Sequence, residues 1–487
     1  AEWEIEEFDR VVTDYEIARG FERAFDKLVH TLKCVSPIDG SVFAGRDTLS
    51  FDAAFGLAQA ACTAQTAWAA RPLQDRINLV MAGVAAVGAM NDEIVPELAQ
   101  MMGRPTRYGG EFGGFNERAS HMAGIAQTAL ADIAVGEDAS FERYIKRVPH
   151  GVVFVVAPWN YPYMTAINTV APALIAGNTV VLKHATQTLL VGERMARAFH
   201  SAGIPTDVFQ NIFLDHATTS DLIAHRAFDF VNFTGSVGGG KAMERAAAGT
   251  FTGIGLELGG KDPGYVMDDA DLDAAVETLI DGAMFNSGQC CCGIERIYVH
   301  ESLFDRFVEK AVAVVKGYKL GDPMDPETTI GPMANVRFAS EVRAQIAEAL
   351  ADGATAHINT MPSDDGAAYL TPQILTSVTH DMRVMRDESF GPVVGIMAVR
   401  NDDEAIRLMN DSNFGLTASL WTRDLDRAMR VGDAIETGTV FMNRADYLDP
   451  GLCWTGCKDT GRGGGLSVIG YHNLTRPKSY HLKKVTT

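Results

Sequence analysis

Residues 151–162 read GVVFVVAPWNYP: an unbroken run of β-branched and aromatic residues that turns at Pro-Trp-Asn-Tyr-Pro. A run this short with no polar face reads as a strand covered on both sides, which a parallel sheet between helices provides. NTVVLK (178–183), DVFQNIFL (207–214) and FDFVNFTG (228–235) have the same character. Helical segments at 165–176 and 186–202 separate them and stop at Gly177 and Gly203. Strand alternating with helix gives a doubly wound parallel sheet. A second series runs through PGYVM (263–267) and ERIYVH (295–300) to a helix at 301–317, so the expected class is α/β with two doubly wound lobes that meet near Gly259-Gly260. Upstream, Ser50 is placed to cap an alanine-rich helix that Arg71-Pro72 ends, and Asp75 opens another.

At 487 residues the chain is too long for one hydrophobic core. Its 47% hydrophobic and 21% charged residues are those of a soluble globular protein. A net charge of -20 argues against nucleic acid or an anionic membrane as partner, since both need clustered Lys and Arg. There is no apolar stretch long enough to span a bilayer. The acidic AEWEIEEFDR lacks the pattern of a signal peptide, and seven cysteines suit free thiols in a reducing compartment. The expected location is the cytoplasm. FERYIKRVP (141–149) and PKSYHLKK near the C-terminus alternate like exposed ribbons and suggest either a small β oligomerisation arm or solvated edge strands.

Four stretches carry candidate chemistry. NSGQCCCGIER (286–296) sets Cys290, Cys291 and Cys292 side by side. Adjacent residues point in different directions, so the three cannot wrap one metal ion, and no metal is expected. Either the run is buried packing, or one thiol faces a cleft where backbone N–H groups lower its pKa. FTGSVGGGKA (233–242) has Gly235, Gly240 and Lys241 in a phosphate-cradling spacing, but Ala242 replaces the hydroxyl that would hold magnesium. A strand, a glycine turn with Ser236 and a helix N-terminus suit a dinucleotide pyrophosphate or a bare structural turn. In GLELGGKDP, Glu257 sits among leucines and glycines; burial there would raise its pKa toward that of a general base, unless it faces solvent from an edge strand. Asn160 follows the 151–158 strand, at the end where doubly wound sheets bind ligands, and offers an amide donor for an oxyanion or a simple turn.

Taken in order, PWNYP, FTGS, LELGGK, GQCC and ESFGPV (388–393) resemble the aldehyde dehydrogenase superfamily from about Val35 onward, with IGPMA (330–334) and FMNR (441–444) also fitting. The resemblance implies that Cys291 is the nucleophile, Glu257 the general base and Asn160 the oxyanion donor, helped by the Cys291 backbone N–H. It implies NAD or NADP as cofactor, held by Lys183, Thr186, Gly235, Ser236, Gly240, Trp159, Leu258, Glu388 and Phe390. The implied domains are NAD(P)-binding at 30–130 and 150–259, catalytic at 260–460, and an oligomerisation arm at 131–149 and 470–487, in a homodimer or homotetramer. The implied reaction oxidises an aldehyde to the acid through a cysteine thiohemiacetal and thioester. The alternatives are acyl transfer to coenzyme A, disfavoured by the presence of Glu257, and a catalytically silent binding relative.

Two departures stand out. After Lys183 the family pattern Pro-x-Glu is replaced by KHATQT, so Thr186 stands where a ribose-binding glutamate is usual and His184 is a candidate extra positive charge. GCKDTGRGGG near the C-terminus also differs from the common pattern. The resemblance places Tyr163, Met164 and Asn168 along the substrate tunnel, and no arginine pair for a second substrate carboxylate is evident.

Overall fold

The computed structural model describes residues 30–359, 366–445 and 447–485. The acidic N-terminal decapeptide lies outside them. Val152–Ala157 is buried at every position and forms the middle of a six-stranded sheet. It pairs in parallel with Thr179–His184 on one side and Phe230–Thr234 on the other. Phe209–Asn211 continues the sheet beyond the first of these, and Gly253–Glu257 beyond the second. The chain therefore winds outward in one direction, returns, and winds outward in the other. The reversal at Val152–Ala157 opens a crevice outside the carboxyl ends of the strands. Trp159-Asn160, Thr186 and Gly235-Ser236 all follow those ends.

The helix after the first strand spans Pro162–Ala176, three residues earlier than its apolar pattern suggests, because Pro162 is set in the first helical turn where its missing N–H costs nothing. It stops at Gly177, whose φ of 97° caps the helix in the left-handed region. Residues 186–188 form a short 3₁₀ turn, so the next helix is Leu189–Ser201. Upstream, Phe51–Ala69 begins at Ser50, whose side chain accepts from the Ala53 N–H as the capping pattern predicts.

A second sheet runs in the order Thr355–Ala356, Gln373–Thr376, Val393–Val399, Ile294–His300, Asp262–Val266, Thr417–Trp421, Thr439–Met442. Its pairings are parallel except at the Thr355–Ala356 edge. The two sheets are joined directly: Gly253–Glu257 ends the first lobe's run and Asp262–Val266 opens the second, with only residues 258–261 between. Glu257 thus stands where the lobes meet. The first sheet also takes an outermost antiparallel strand, Gly461–Arg462, from chain beyond the second lobe. Glu257 is consequently not on a sheet edge.

Phe141–Pro149 and Thr475–Lys483 pair with each other in antiparallel register over their whole length, with Tyr144 stacked on Tyr480 at 4.7 Å. Each therefore covers one edge of the other within the chain. Ile133–Ala134 covers part of the far edge of Phe141–Pro149, and the outer edge of Thr475–Lys483 pairs with no strand among the described residues. No single helix among the described residues is long and apolar enough to cross a membrane.

Candidate active site

The cysteine run is presented by a turn that most residues avoid. The helix Leu272–Met284 gives way to Phe285–Gly288, in which Asn286, Ser287 and Gly288 have φ of 54°, 57° and 70°. Two non-glycine residues in the left-handed region cost about 1–3 kcal/mol each unless their surroundings fix them. Here they do. Asn286 Nδ2 donates to the carbonyls of Asn160 (3.3 Å) and Gln289 (3.2 Å), and Asn286 Oδ1 accepts from Arg104 Nε (3.2 Å). Ser287 Oγ donates to the Gly331 carbonyl at 2.8 Å, and Gln289 Oε1 accepts from the Ala334 N–H at 2.8 Å. At Gly288 a Cβ would meet the Gly391 carbonyl carbon at 2.3 Å, so the backbones there exclude any side chain.

The turn sorts the three thiols. Cys290 and Cys292 are buried with their sulfurs 3.5 Å apart, while Cys291 is partly exposed. Hydrogen bonds from the Cys290 and Cys292 side chains hold the Cys291 thiol well below the usual thiol range, against the opposing effect of burial. The Cys292 backbone N–H and the positive charge of Arg118 add to this. The Cys291 backbone N–H meets no acceptor among the described residues.

Glu257 ends its strand with Oε2 buried and without a hydrogen-bond partner. Burial, and then the neighbouring Cys291, push its carboxyl well above the usual carboxylate range. The glycines that follow are demanded by close approach. A Cβ at Gly260 would lie 2.5 Å from the Cys291 carbonyl oxygen, and one at Gly259 would lie 2.2 Å from Glu388 Oε2. The connector therefore packs directly on the nucleophile turn.

Asn160 is buried, and its side-chain amide contacts no hydrogen-bonding group among the described residues. Its backbone is clamped: the carbonyl accepts from Arg104 Nη2 at 2.5 Å and from Asn286. Arg104 is itself held by a buried ion pair with Glu111 at 2.5 Å, and Glu111 Oε2 accepts from the Met164 N–H at 2.8 Å. Arg104 and Glu111 thus brace both the Asn160 loop and the cysteine turn, and nothing in the local sequence marks them for it.

The crevice of the first sheet holds the remaining candidates. Lys183 is buried with no carboxylate at ion-pair distance among the described residues, and burial brings its ammonium down to about 8. Ser236 Oγ caps the helix Val237–Ala247 by accepting from the Gly239 N–H, while nothing lies within 4 Å of a Cβ built at Gly238. This leaves an open helix N-terminus beside Gly235, a site suited to anionic oxygens. Gly240 must be glycine because a Cβ would meet Leu258 at 2.7 Å. Trp159 stacks on Phe338 (5.2 Å) and meets Phe390 edge-on (5.4 Å), and Phe390 has φ of 49°. Glu388 accepts from the Gly260 N–H at 3.0 Å, and burial raises its carboxyl to about 8. Its loop is fixed by a buried pair that the sequence reading did not assign. Glu295 takes Lys261 Nζ at 2.6 Å and the N–H groups of Ser389 (2.7 Å) and Phe390 (2.8 Å). A buried ammonium with no ion pair among the described residues, an open helix N-terminus and an aromatic wall fit a dinucleotide.

Two expectations are corrected. His184 is fully buried, and desolvation pushes its imidazole down to about 3, so it brings no positive charge to the crevice at neutral pH. Tyr163 turns into the helical core against Phe115 (6.2 Å) rather than toward a tunnel. Thr186 is exposed.

The profile of the aldehyde dehydrogenase family matches residues 25–480. A succinate-semialdehyde dehydrogenase [NADP(+)] of Deinococcus radiodurans is 36% identical over 337 residues, which are 69% of this chain and 71% of that one. The solved NADP-dependent glyceraldehyde-3-phosphate dehydrogenase of Bacillus halodurans, complexed with NADP, superposes with a TM-score of 0.88 at 31% identity, covering 93% of this chain and 96% of that one. An indole-3-acetaldehyde dehydrogenase of P. syringae, solved with NAD+, gives a TM-score of 0.89 at 29% identity, covering 93% and 94%. The parallel sheets, the strained cysteine turn and the family match along nearly the whole chain lead to one conclusion: this chain belongs to the aldehyde dehydrogenase family.

Proposed function

We propose that the protein oxidises an aldehyde to its carboxylic acid with NAD(P)+, with Cys291 as nucleophile. The supporting observation is a pair of opposed shifts at one junction: a thiol lowered toward thiolate beside a carboxyl raised toward a base. The Cys291 thiolate attacks the aldehyde carbon, and the oxyanion that forms is met by the Asn160 amide and the Cys291 backbone N–H. When bound, the nicotinamide supplies the acceptor for the hydride whose loss leaves a Cys291 thioester. Glu257 then takes a proton from water at its uncommitted Oε2, and the hydroxide so generated releases the acid. Lys183, Ser236, Gly235, Gly240 and Leu258 hold the adenosine and pyrophosphate half of the cofactor. Trp159, Glu388 and Phe390 hold the other half near Cys291. In domain terms, 30–130 and 150–259 bind cofactor, 260–460 carry the chemistry, and 131–149 with 470–487 form the arm. Incubation with short aldehydes and either cofactor should yield reduced cofactor and acid in equal amounts without coenzyme A. A strict requirement for coenzyme A would overturn the hydrolytic reading.

Cofactor preference should respond to position 186. Thr186 adds no negative charge to an end of the crevice where Lys183 is a buried cation, so position 186 itself does not repel a 2′-phosphate. The expected result is use of both cofactors, with Thr186→Glu shifting the kcat/KM ratio toward NAD+ by about tenfold, the effect of one charge-assisted contact. An unchanged ratio would show that this position does not set the preference.

The arm should join subunits. The outer edge of Thr475–Lys483 pairs with no strand among the described residues, and Leu482 within that strand is 50% exposed. Such an edge is a template for a second copy. Light scattering at micromolar concentration should report a dimer or tetramer of the 52.5 kDa chain, and a pure monomer would refute this.

A further inference from the structure

We infer that Arg118 anchors a second, anionic group on the substrate, so that the preferred substrates are aldehydes bearing a carboxylate; this rests on the reading of Cys291 as the nucleophile in aldehyde oxidation. Arg118 lies on the helix Phe112–Ala129, on the side marked by buried Phe115, Ala119 and Met122. One nitrogen of its guanidinium is held: Nη1 donates to the Met164 carbonyl at 2.9 Å and to Asn168 Oδ1 at 3.4 Å, both on the helix that follows the Asn160 loop. Nε and Nη2 donate to nothing else among the described residues. The group lies close enough to Cys291 and Cys292 for each thiol to feel its charge.

Arg118 is half-buried, and a cation in such a place commonly has a carboxylate partner. Arg118 has none at ion-pair distance among the described residues, although two carboxylates are close enough to act on it. Both are committed elsewhere. Glu111 is bound by Arg104 and the Met164 N–H, and Glu117 accepts from Tyr447 Oη at 2.7 Å. What remains is a guanidinium fixed by one nitrogen, with its other donors uncommitted, in the electrostatic range of the nucleophile. The fork matches a carboxylate with two parallel hydrogen bonds, and a substrate with its aldehyde at Cys291 would bring one. Burial works against the charge of Arg118 in the unliganded protein, and an incoming anion would relieve that penalty.

The test compares succinate semialdehyde with butanal, which has the same chain length and no charge, in wild type, Arg118→Gln and Arg118→Lys. Any effect of Arg118 on the Cys291 thiolate is common to both substrates and cancels in the ratio of their kcat/KM values. Wild type should favour the semialdehyde. Arg118→Gln should lower that preference by at least about tenfold, chiefly through KM, and Arg118→Lys should recover part of it. Equal losses for both substrates, with the ratio unchanged, would make Arg118 a brace or a thiolate stabiliser and overturn the anchor. If Arg118→Gln does not fold, wild type decides the matter: succinate semialdehyde should be preferred over its neutral methyl ester, and no preference would overturn the anchor. Failure of wild type to oxidise any of these aldehydes would instead sink the dehydrogenase reading itself.

Discussion

Cys291→Ser should lower aldehyde oxidation by at least about a thousandfold, whereas Cys290→Ser and Cys292→Ser should each keep appreciable turnover. A serine hydroxyl at this position keeps the shape but loses the low-pKa nucleophile, because none of the contacts that stabilise a thiolate can ionise an alcohol near neutrality. The flanking changes act indirectly. Serine keeps a donor hydroxyl at either position, whereas Cys290→Ala or Cys292→Ala removes one hydrogen bond that holds the Cys291 thiol down, so its pKa should rise in the alanine variants. Iodoacetamide labelling against pH measures this: the wild-type rate should level off at a pH below the ordinary thiol range, and the plateau should move upward in Cys290→Ala. Full oxidation activity in Cys291→Ser would refute the assignment.

Glu257→Gln should leave a burst of reduced cofactor and slow the steady state by about 10²- to 10⁴-fold, the range of a lost general base. Glutamine keeps the size of the side chain but cannot take the proton from water, so the thioester accumulates. The sign of the pH effect follows from the raised carboxyl: burial makes Glu257 keep its proton to higher pH than an ordinary carboxylate, and it is inactive as a base until that proton is lost. Thioester hydrolysis in wild type should therefore speed up as pH rises through the elevated pKa, and this rise should vanish in Glu257→Gln. Slowing of the burst as well would add an earlier role, in deprotonating Cys291. Steady-state rates equal to wild type would remove Glu257 from the chemistry altogether.

The first lobe was legible because its central strands Val152–Ala157 and Thr179–His184 are buried at every position, and a strand covered on both faces is apolar along most of its length. Between His300 and the C-terminal ribbon the sequence pattern marks no strand, although Gln373–Thr376, Val393–Val399, Thr417–Trp421 and Thr439–Met442 all belong to the second sheet. Thr417–Trp421 shows why. Thr417 and Ser419 are buried as deeply as the hydrophobic residues beside them, and distant partners make this tolerable. Thr417 donates to Asp262 Oδ2 at 2.6 Å, and Ser419 donates to the Arg444 carbonyl at 2.7 Å. A pattern search scores such residues as polar and finds no strand. At the site the same limit applies. Cys291, Glu257 and Asn160 follow local motifs, so their stretches stood out. Arg104, Glu295 and Arg118 act through partners far along the chain; Arg104 and Asn286 are 182 positions apart. The burial of His184 was equally invisible, since a histidine closing a strand gives no sign of which way it faces.

The central claim is that the acyl group is carried by Cys291 and released by Glu257. Mass spectrometry of Glu257→Gln, acid-quenched within one turnover with aldehyde and cofactor, tests it most directly. The peptide bearing the cysteine run should gain the mass of one acyl group, mapped to Cys291 by fragmentation and absent from Cys291→Ser. An acyl group found on Cys290 or Cys292, or reduced cofactor formed at full burst amplitude with no acyl-enzyme at all, would contradict it.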